Sequence, residues 1–169
     1  MLPFGWLGPH PGWGESRQSR LPPEEEKTEY TLCCVARSPL VLGANLTKAN
    51  RTKLDAYTRS LITNQTLLLI DQASSFSRPV EASSLPAGFE NARLRCAAIN
   101  TPGARGYAEY LALFNLDNQP VTLRASWKEL GIDKAKHAAE DAWTMDTGKA
   151  SKEVTVSLPA HGSTVIKVQ

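Results

Sequence analysis

Residues 107–127 read YAEYLALFNLDNQPVTLRASW. Two apolar-rich runs, Tyr107–Leu116 and Val121–Trp127, flank the tetrapeptide Asp117-Asn118-Gln119-Pro120. Asp and Asn side chains bond their own backbone and Pro fixes φ, so this composition predicts a turn between two strands. In the second run Val121, Leu123, Ala125 and Trp127 take alternate positions, the period of a strand with one buried face. Trp127 falls in the inward set, which assigns its indole to a core. In the first run Glu109 is expected to point outward.

Working outward, the same signals repeat. Upstream, Asn91–Asn100 is strand-like and is joined to Tyr107–Leu116 through Thr101-Pro102-Gly103. Downstream, Ala142–Met145 is a candidate strand, followed by a turn at Thr147-Gly148. Val154, Val156 and Leu158 alternate, Pro159–Gly162 turns the chain with His161 inside the turn, and Val165, Ile166 and Val168 end it. Short strands separated by turns predict an all-β antiparallel sandwich over 91–169.

Residues 1–64 read differently. Pro22 and Pro23 precede Glu24, Glu25 and Glu26, where a helix start accepts proline and its dipole favours carboxylates. Tyr30, Cys33, Cys34 and Arg37 follow at helical spacing, and the helix must stop before Pro39. PLVLG, Pro39–Gly43, is a continuous apolar run, the pattern of a parallel strand buried on both faces. Leu54, Tyr57 and Leu61 mark a second amphipathic helix, with Asn64 as its C-terminal cap. Met1–Gly5 reads as a short strand, and Gly and Pro make Trp6–Leu21 an irregular loop. Residues 65–90 form a connection, within which Thr66–Asp71 suits either a strand or a helical turn. The fold class expected is an α/β remnant followed by the sandwich.

Composition bounds the function. The chain has 169 residues, fewer than the roughly 200 that a closed (β/α)₈ barrel needs. Nineteen basic and seventeen acidic residues leave a net charge of +2, so nothing favours nucleic acid or an anionic membrane as partner. The longest aliphatic run, Leu67–Ile70, is far below the ~20 residues of a membrane span. The N-terminus has no basic stretch followed by a long apolar one, so no secretory signal is read there and the default location is cytoplasmic. Cys33, Cys34 and Cys96 are too few for a disulfide framework and are expected as free, mostly buried thiols. Asn45, Asn50 and Asn64 begin N-glycosylation sequons, read instead as caps and turns in a polar connection.

Catalytic signals are sparse. GxSxG, HExxH and P-loop motifs are absent. His10, His137 and His161 are far apart and lack a second ligand at metal spacing, so neither a metal nor a cofactor is expected. The acids Glu24–Glu26, Asp71, Glu109, Asp117, Asp133 and Asp141 read as structural or surface groups, with no pair whose pKa values should split. The loop Trp6–Arg17 carries two tryptophans. Trp6 and Trp13 suit either stacking on a sugar ring or packing the loop against the body.

Several segments together resemble one family. MLPFG, PPEEEKTEYTLCCVARSPLVLGANLT and LITNQTLLLIDQ look like the end of the catalytic barrel of the α-galactosidases of glycoside hydrolase family 27. That family has a "DPDML" or "DADML" strand end and an "A.SPL" segment after a helix. AEYLALFNLDNQPVTL, DAWTMDTGK and VSLPAHGSTVIKV are similar to segments of its C-terminal antiparallel domain. The resemblance implies that Met1–Gly5 and Pro39–Gly43 are the last two strands of a (β/α)₈ barrel over 1–64. It places Met1 at a position that lines the galactose pocket; Trp6 and Trp13 stay substrate-adjacent candidates on the composition of their loop. It also implies a retaining hydrolase of terminal α-galactosides whose two catalytic aspartates lie on earlier strands, so no catalytic residue is assigned here.

The expectation is therefore a C-terminal fragment, inactive alone, whose partners are a galactoside and a separate chain carrying the remaining barrel. Its residues 1–64 should be less protected from exchange than 90–169. The alternative is a non-catalytic carbohydrate-binding or scaffold sandwich, using Trp127 or Trp143.

Overall fold

The computed structural model describes residues 1–9, 14–47, 54–73, 77–81, 85, 91–101, 104–132 and 137–169, with backbone alone over 91–101 and 104–107. A helix, α1 (Pro23–Ala36), starts on Pro22 with Glu24, Glu25 and Glu26 in its first turn. It closes at Arg37, whose φ of 57° lets the Arg37 and Ser38 N–H groups reach the carbonyls of Cys34 and Cys33 before Pro39. Arg37 is thus the cap, not the last member of the apolar stripe.

Before α1, Leu2 pairs in parallel with Leu42: Leu2 N–H donates to Val41 O at 2.7 Å and Gly43 N–H to Leu2 O at 2.8 Å. The pairing is a single bridge rather than the two full strands expected, and Val41 is exposed. A strand becomes buried on both faces when it has neighbours on both edges, and among the described residues this pair has no further strand beside it. The loop read as irregular holds a small ribbon, β1 (Trp6–Leu7) against β2 (Arg17–Gln18). Gly5 turns the chain into it at φ +71°, and a Cβ there would meet the Leu54 side chain at 2.8 Å.

Two short helices follow, α2 (Ala56–Ile62) and α3 (Gln65–Gln72). Asp55 caps α2 by accepting from Thr58 N–H and hydroxyl. Asn64, expected to close that helix, instead opens the next one: its Oδ1 accepts from Leu67 N–H at 2.9 Å. The connection expected over 65–90 therefore begins with a helix, and the 66–71 ambiguity resolves to helix because Leu67 and Ile70 share one buried face. Asn64 Nδ2 also donates to Ala142 O at 3.0 Å, tying the start of α3 to the β region. Asn64→Ala should cost about 1–2 kcal/mol through the lost cap and that bond. A thermal unfolding midpoint unchanged from wild type would count against this role.

The β region has two layers. One sheet has the order β3-β4-β5-β9-β7, from β3 (Ser77–Pro79), β4 (Asn91–Thr101), β5 (Ala104–Phe114), β7 (Ala139–Asp141) and β9 (Ser163–Val168). The other pairs β6 (Val121–Ser126) with β8 (Glu153–Leu158), and all the named pairings are antiparallel. The sandwich expected from the sequence is present. Ala142–Met145, expected as a strand, is a turn, because Asp141 Oδ1 accepts from Trp143 and Thr144 N–H and withdraws them from any ladder. The strand is the preceding β7.

The larger sheet is buried on both faces. Ala108, Tyr110, Ala112 and Phe114 of β5, with Val165 of β9, join Phe4, Tyr30, Cys34, Leu61, Leu67 and Ile70 in one core. Leu111 and Leu113 of β5, with Ile166 and Val168 of β9, join Leu123, Trp127 and Leu130 in a second. Successive side chains thus feed two cores on opposite faces, as the period of two requires. Glu109 is half-buried rather than fully outward, since both faces of its strand are covered.

Candidate functional site

A concavity beside the α/β segments has a volume of about 510 Å³. Its walls are Met1 and Pro3, the ribbon loop at Leu7, Gly8, Pro9 and Arg17, and Gly43 and Asn45 just after the bridge. The Leu2–Leu42 pairing sets the two segments side by side, and the cavity lies where the loops leave them. Asn45 joins the loops: its N–H donates to Trp6 O at 2.7 Å and its Nδ2 to Gly8 O at 3.0 Å. Asn45 Oδ1 accepts from Thr47 N–H, so this sequon asparagine is a turn residue here. Ser19 N–H donates to Gly5 O at 2.8 Å and Gln18 Nε2 to Asp55 Oδ2 at 3.1 Å, which holds the ribbon against the start of α2.

Of the residues singled out from sequence, Met1 lines the cavity and Trp6 sits half-buried in β1, next to the lining Leu7. Trp13 lies outside the described residues, as do His10, Asn50 and Asp133. Arg17 and Asn45 also line the cavity; from sequence Arg17 is only the end of the Trp6–Arg17 loop and Asn45 only a sequon in a polar connection, and neither is assigned to substrate. Arg17 is a lone arginine in a loop, and its placement depends on the ribbon register with Leu7.

Several charged and polar groups elsewhere have structural partners. His161, at φ +55° in the turn before β9, bridges the layers: Nδ1 lies 2.8 Å from Glu25 Oε1 on α1 and Nε2 lies 2.9 Å from Asn118 Oδ1. Its carbonyl accepts from Thr28 Oγ1 at 2.7 Å. His137 is buried with Nδ1 3.0 Å from Gln169 O, its ring edge-on to Trp127. Glu153 pairs with Arg124, Glu140 with Lys167, and Asp141 accepts from Thr164 Oγ1. Among the described residues no group of three or more His, Cys, Asp or Glu could hold a metal ion. Cys33 and Cys34 are free thiols, and burial pushes Cys34 up to about 12, which leaves it protonated and unreactive at neutral pH. The side chain of Cys96 lies outside the description.

Glu26 is the exception among the acids. It is buried at 5% exposure near the α1 start. Burial pushes its carboxyl above the usual glutamate range, hydrogen bonding from Ser19 and Thr58 opposes this, and the charges of Asp55 and Glu29 reinforce it. A folded-state value above the unfolded one means stability falls as pH rises from 4.5 through the raised value. Glu26→Gln keeps the shape and removes the charge, so at pH 7 it should gain about 0.5–2 kcal/mol. The gain should vanish in acid. Urea midpoints at pH 7 and pH 4 check this, and a loss of stability at pH 7 would refute it.

The body thus stacks helices, the five-stranded sheet and the two-stranded sheet in three layers, with a loop-built cavity beside the parallel pair. Residues 101–168 match the family model described as the alpha galactosidase C-terminal beta sandwich domain. The whole chain is similar to the C-terminal part of a glycoside hydrolase family 27 enzyme. It superimposes on a β-L-arabinopyranosidase of that family from Geobacillus stearothermophilus, with a TM-score of 0.76 and 25% identity, over 99% of this chain and 35% of that one. It shares its fold with α-galactosidase I from Mortierella vinacea, with a TM-score of 0.69 and 19% identity, over 88% of this chain and 36% of that one. It also shares the fold of the α-galactosidase from Saccharomyces cerevisiae solved with raffinose, with a TM-score of 0.60 and 15% identity, over 89% of this chain and 44% of that one. The chain thus spans less than half the length of these solved relatives. No curated protein sequence matches it.

Proposed function

We propose that these residues supply the last part of a (β/α)₈ barrel, over 1–64, and the sandwich, over 91–169, of an α-galactosidase-like glycoside hydrolase. The observation that carries this reading is the parallel Leu2–Leu42 pair with a cavity built by the loops that follow it. In (β/α)₈ enzymes the loops after the strands build the active-site face. Met1 forms one wall for a galactoside ring, with Trp6 next to the lining Leu7. The parent reaction is retaining hydrolysis of a terminal α-galactoside, which needs two carboxylates about 5–5.5 Å apart. Among the described acids Asp55 caps a helix, Asp141 holds a turn, and Glu153 and Glu140 pair with cations. On this reading the two catalytic carboxylates lie on earlier barrel strands, and a separate barrel-bearing chain is a fitting partner. Alone, these residues bind a galactoside weakly and do not cleave it.

The alternative, a sandwich that binds sugar through Trp127 or Trp143, has less support. Trp127 is 1% exposed, and Trp143 is occupied by Tyr30 on one side and by Lys27, whose Nζ lies 5.3 Å from its ring centre. Amide chemical shifts during titration with methyl α-galactoside separate the two. Shifts at Leu7, Gly8, Gly43 and Asn45 are expected. Shifts confined to the sandwich, at Trp143 and its neighbours, would overturn the barrel-wall reading.

A further inference from the structure

Arg17 is the one charged side chain among the described residues that line the cavity. The rest of that lining is Met1, Pro3, Leu7, Gly8, Pro9, Gly43 and Asn45. Asn45 has its amide nitrogen committed to Gly8 O and its oxygen to Thr47 N–H, so its side chain is structural. The lining offers the guanidinium no carboxylate. A ligand in the cavity would meet apolar walls and a single strong donor group. Sugar sites commonly combine an apolar surface with a few oriented polar groups.

We propose that Arg17 is a substrate-binding and specificity-determining residue, which donates to a pair of adjacent oxygens on the bound sugar. This assignment rests on the sugar-wall reading above. The planar guanidinium presents parallel N–H donors, a match for two oxygens side by side. Such a pair is either a vicinal diol of a neutral galactoside or the carboxylate of a galacturonoside. Arg17 is held for this role by register: it pairs with Leu7 in the ribbon, so its backbone is fixed while its side chain stays exposed toward the cavity. The donors act on binding and orientation; no proton or bond change is assigned to Arg17.

The test uses the full 169-residue chain and titrates methyl α-galactoside and methyl α-galacturonoside in parallel, following amide shifts. Arg17→Gln should weaken the preferred sugar by about tenfold or more, the size of a lost charge-assisted pair. Arg17→Lys, which keeps the charge but loses the fork, should bind more weakly than wild type. Because the side chain is exposed, both variants should keep the wild-type unfolding midpoint. Galacturonoside preferred at least tenfold in wild type, with the preference lost in Arg17→Gln, assigns the oxygens to a carboxylate. Similar affinities that both fall in Arg17→Gln assign them to a diol. Sugar binding at Gly8 and Asn45 that is unchanged in Arg17→Gln overturns the role of Arg17 while leaving the sugar wall intact. Binding of neither sugar overturns both.

Discussion

Trp127→Ala should remove a large fraction of the protein's stability. The indole is 1% exposed and lies in the core between the two sheets with Leu111, Leu113, Leu123 and Leu130. Its Nε1 donates to Ser151 O at 2.9 Å and its ring meets His137 at 5.4 Å. Truncating a buried aromatic to Ala costs about 3–5 kcal/mol, because apolar contact is lost and a cavity remains. A domain of this size has only about 5–15 kcal/mol in total. Trp127→Phe separates packing from hydrogen bonding: it keeps a ring in the core and should lose about 1–2 kcal/mol, from the missing indole hydrogen bond and the smaller ring, while the Ser151 carbonyl still accepts from His137 N–H. Urea unfolding followed by circular dichroism measures both. A Trp127→Ala variant as stable as wild type would mean the sandwich core is not built around this residue.

Tyr30→Ala is expected to be comparably severe, for a reason that concerns the other core. Tyr30 projects from α1 and is 1% exposed, with its ring centre 6.5 Å from that of Phe4 and 6.3 Å from that of Trp143. It therefore ties the first segment of the chain to the turn after β7. Removal of the ring should cost about 3–5 kcal/mol. Its hydroxyl is buried without a hydrogen bond of ordinary geometry, and burial beside Cys34 pushes it far above the usual tyrosine range. An unsatisfied buried hydroxyl is itself a cost, so Tyr30→Phe should be neutral or slightly stabilising. The pair of variants distinguishes ring packing from polar contact: a Tyr30→Phe loss as large as that of Tyr30→Ala would contradict the geometry. The shared sheet also moves the expected boundary of amide protection. Tyr30–Val35 should exchange with β5 and β9, while the slowly protected body excludes the ribbon loop rather than the whole of 1–64.

Much of this was legible in the sequence, and what was not had identifiable causes. β6 alternates plainly because one face is buried and the other solvated, so Leu123, Ala125 and Trp127 were readable as core. β5 shows the run YLALF (Tyr110–Phe114) instead of alternation, since helices cover one face and the second sheet the other. The helix start at Pro22–Glu26 and its stop before Pro39 follow from local chemistry and are found in place. Asn64 was misplaced by one element, because asparagine suits both ends of a helix and only the Leu67 N–H decides between them. Asp141 hid the position of β7, since its side chain turns a strand-like sequence away from the sheet. At the candidate site, Met1 follows from the family resemblance, whereas Arg17 does not. Its place in the cavity depends on a two-residue ribbon and on loops distant in sequence, and no local pattern encodes that.

On the proposed reading these residues form a folded part of an α-galactosidase-like hydrolase whose catalytic pair lies outside them. The most direct measurement is release of nitrophenol from p-nitrophenyl α-galactoside by the purified 169-residue chain, on a sample shown by a cooperative thermal transition to be folded. The account predicts a rate indistinguishable from the buffer blank. Turnover above that blank, lost in a variant of any carboxylate in this chain, would contradict it.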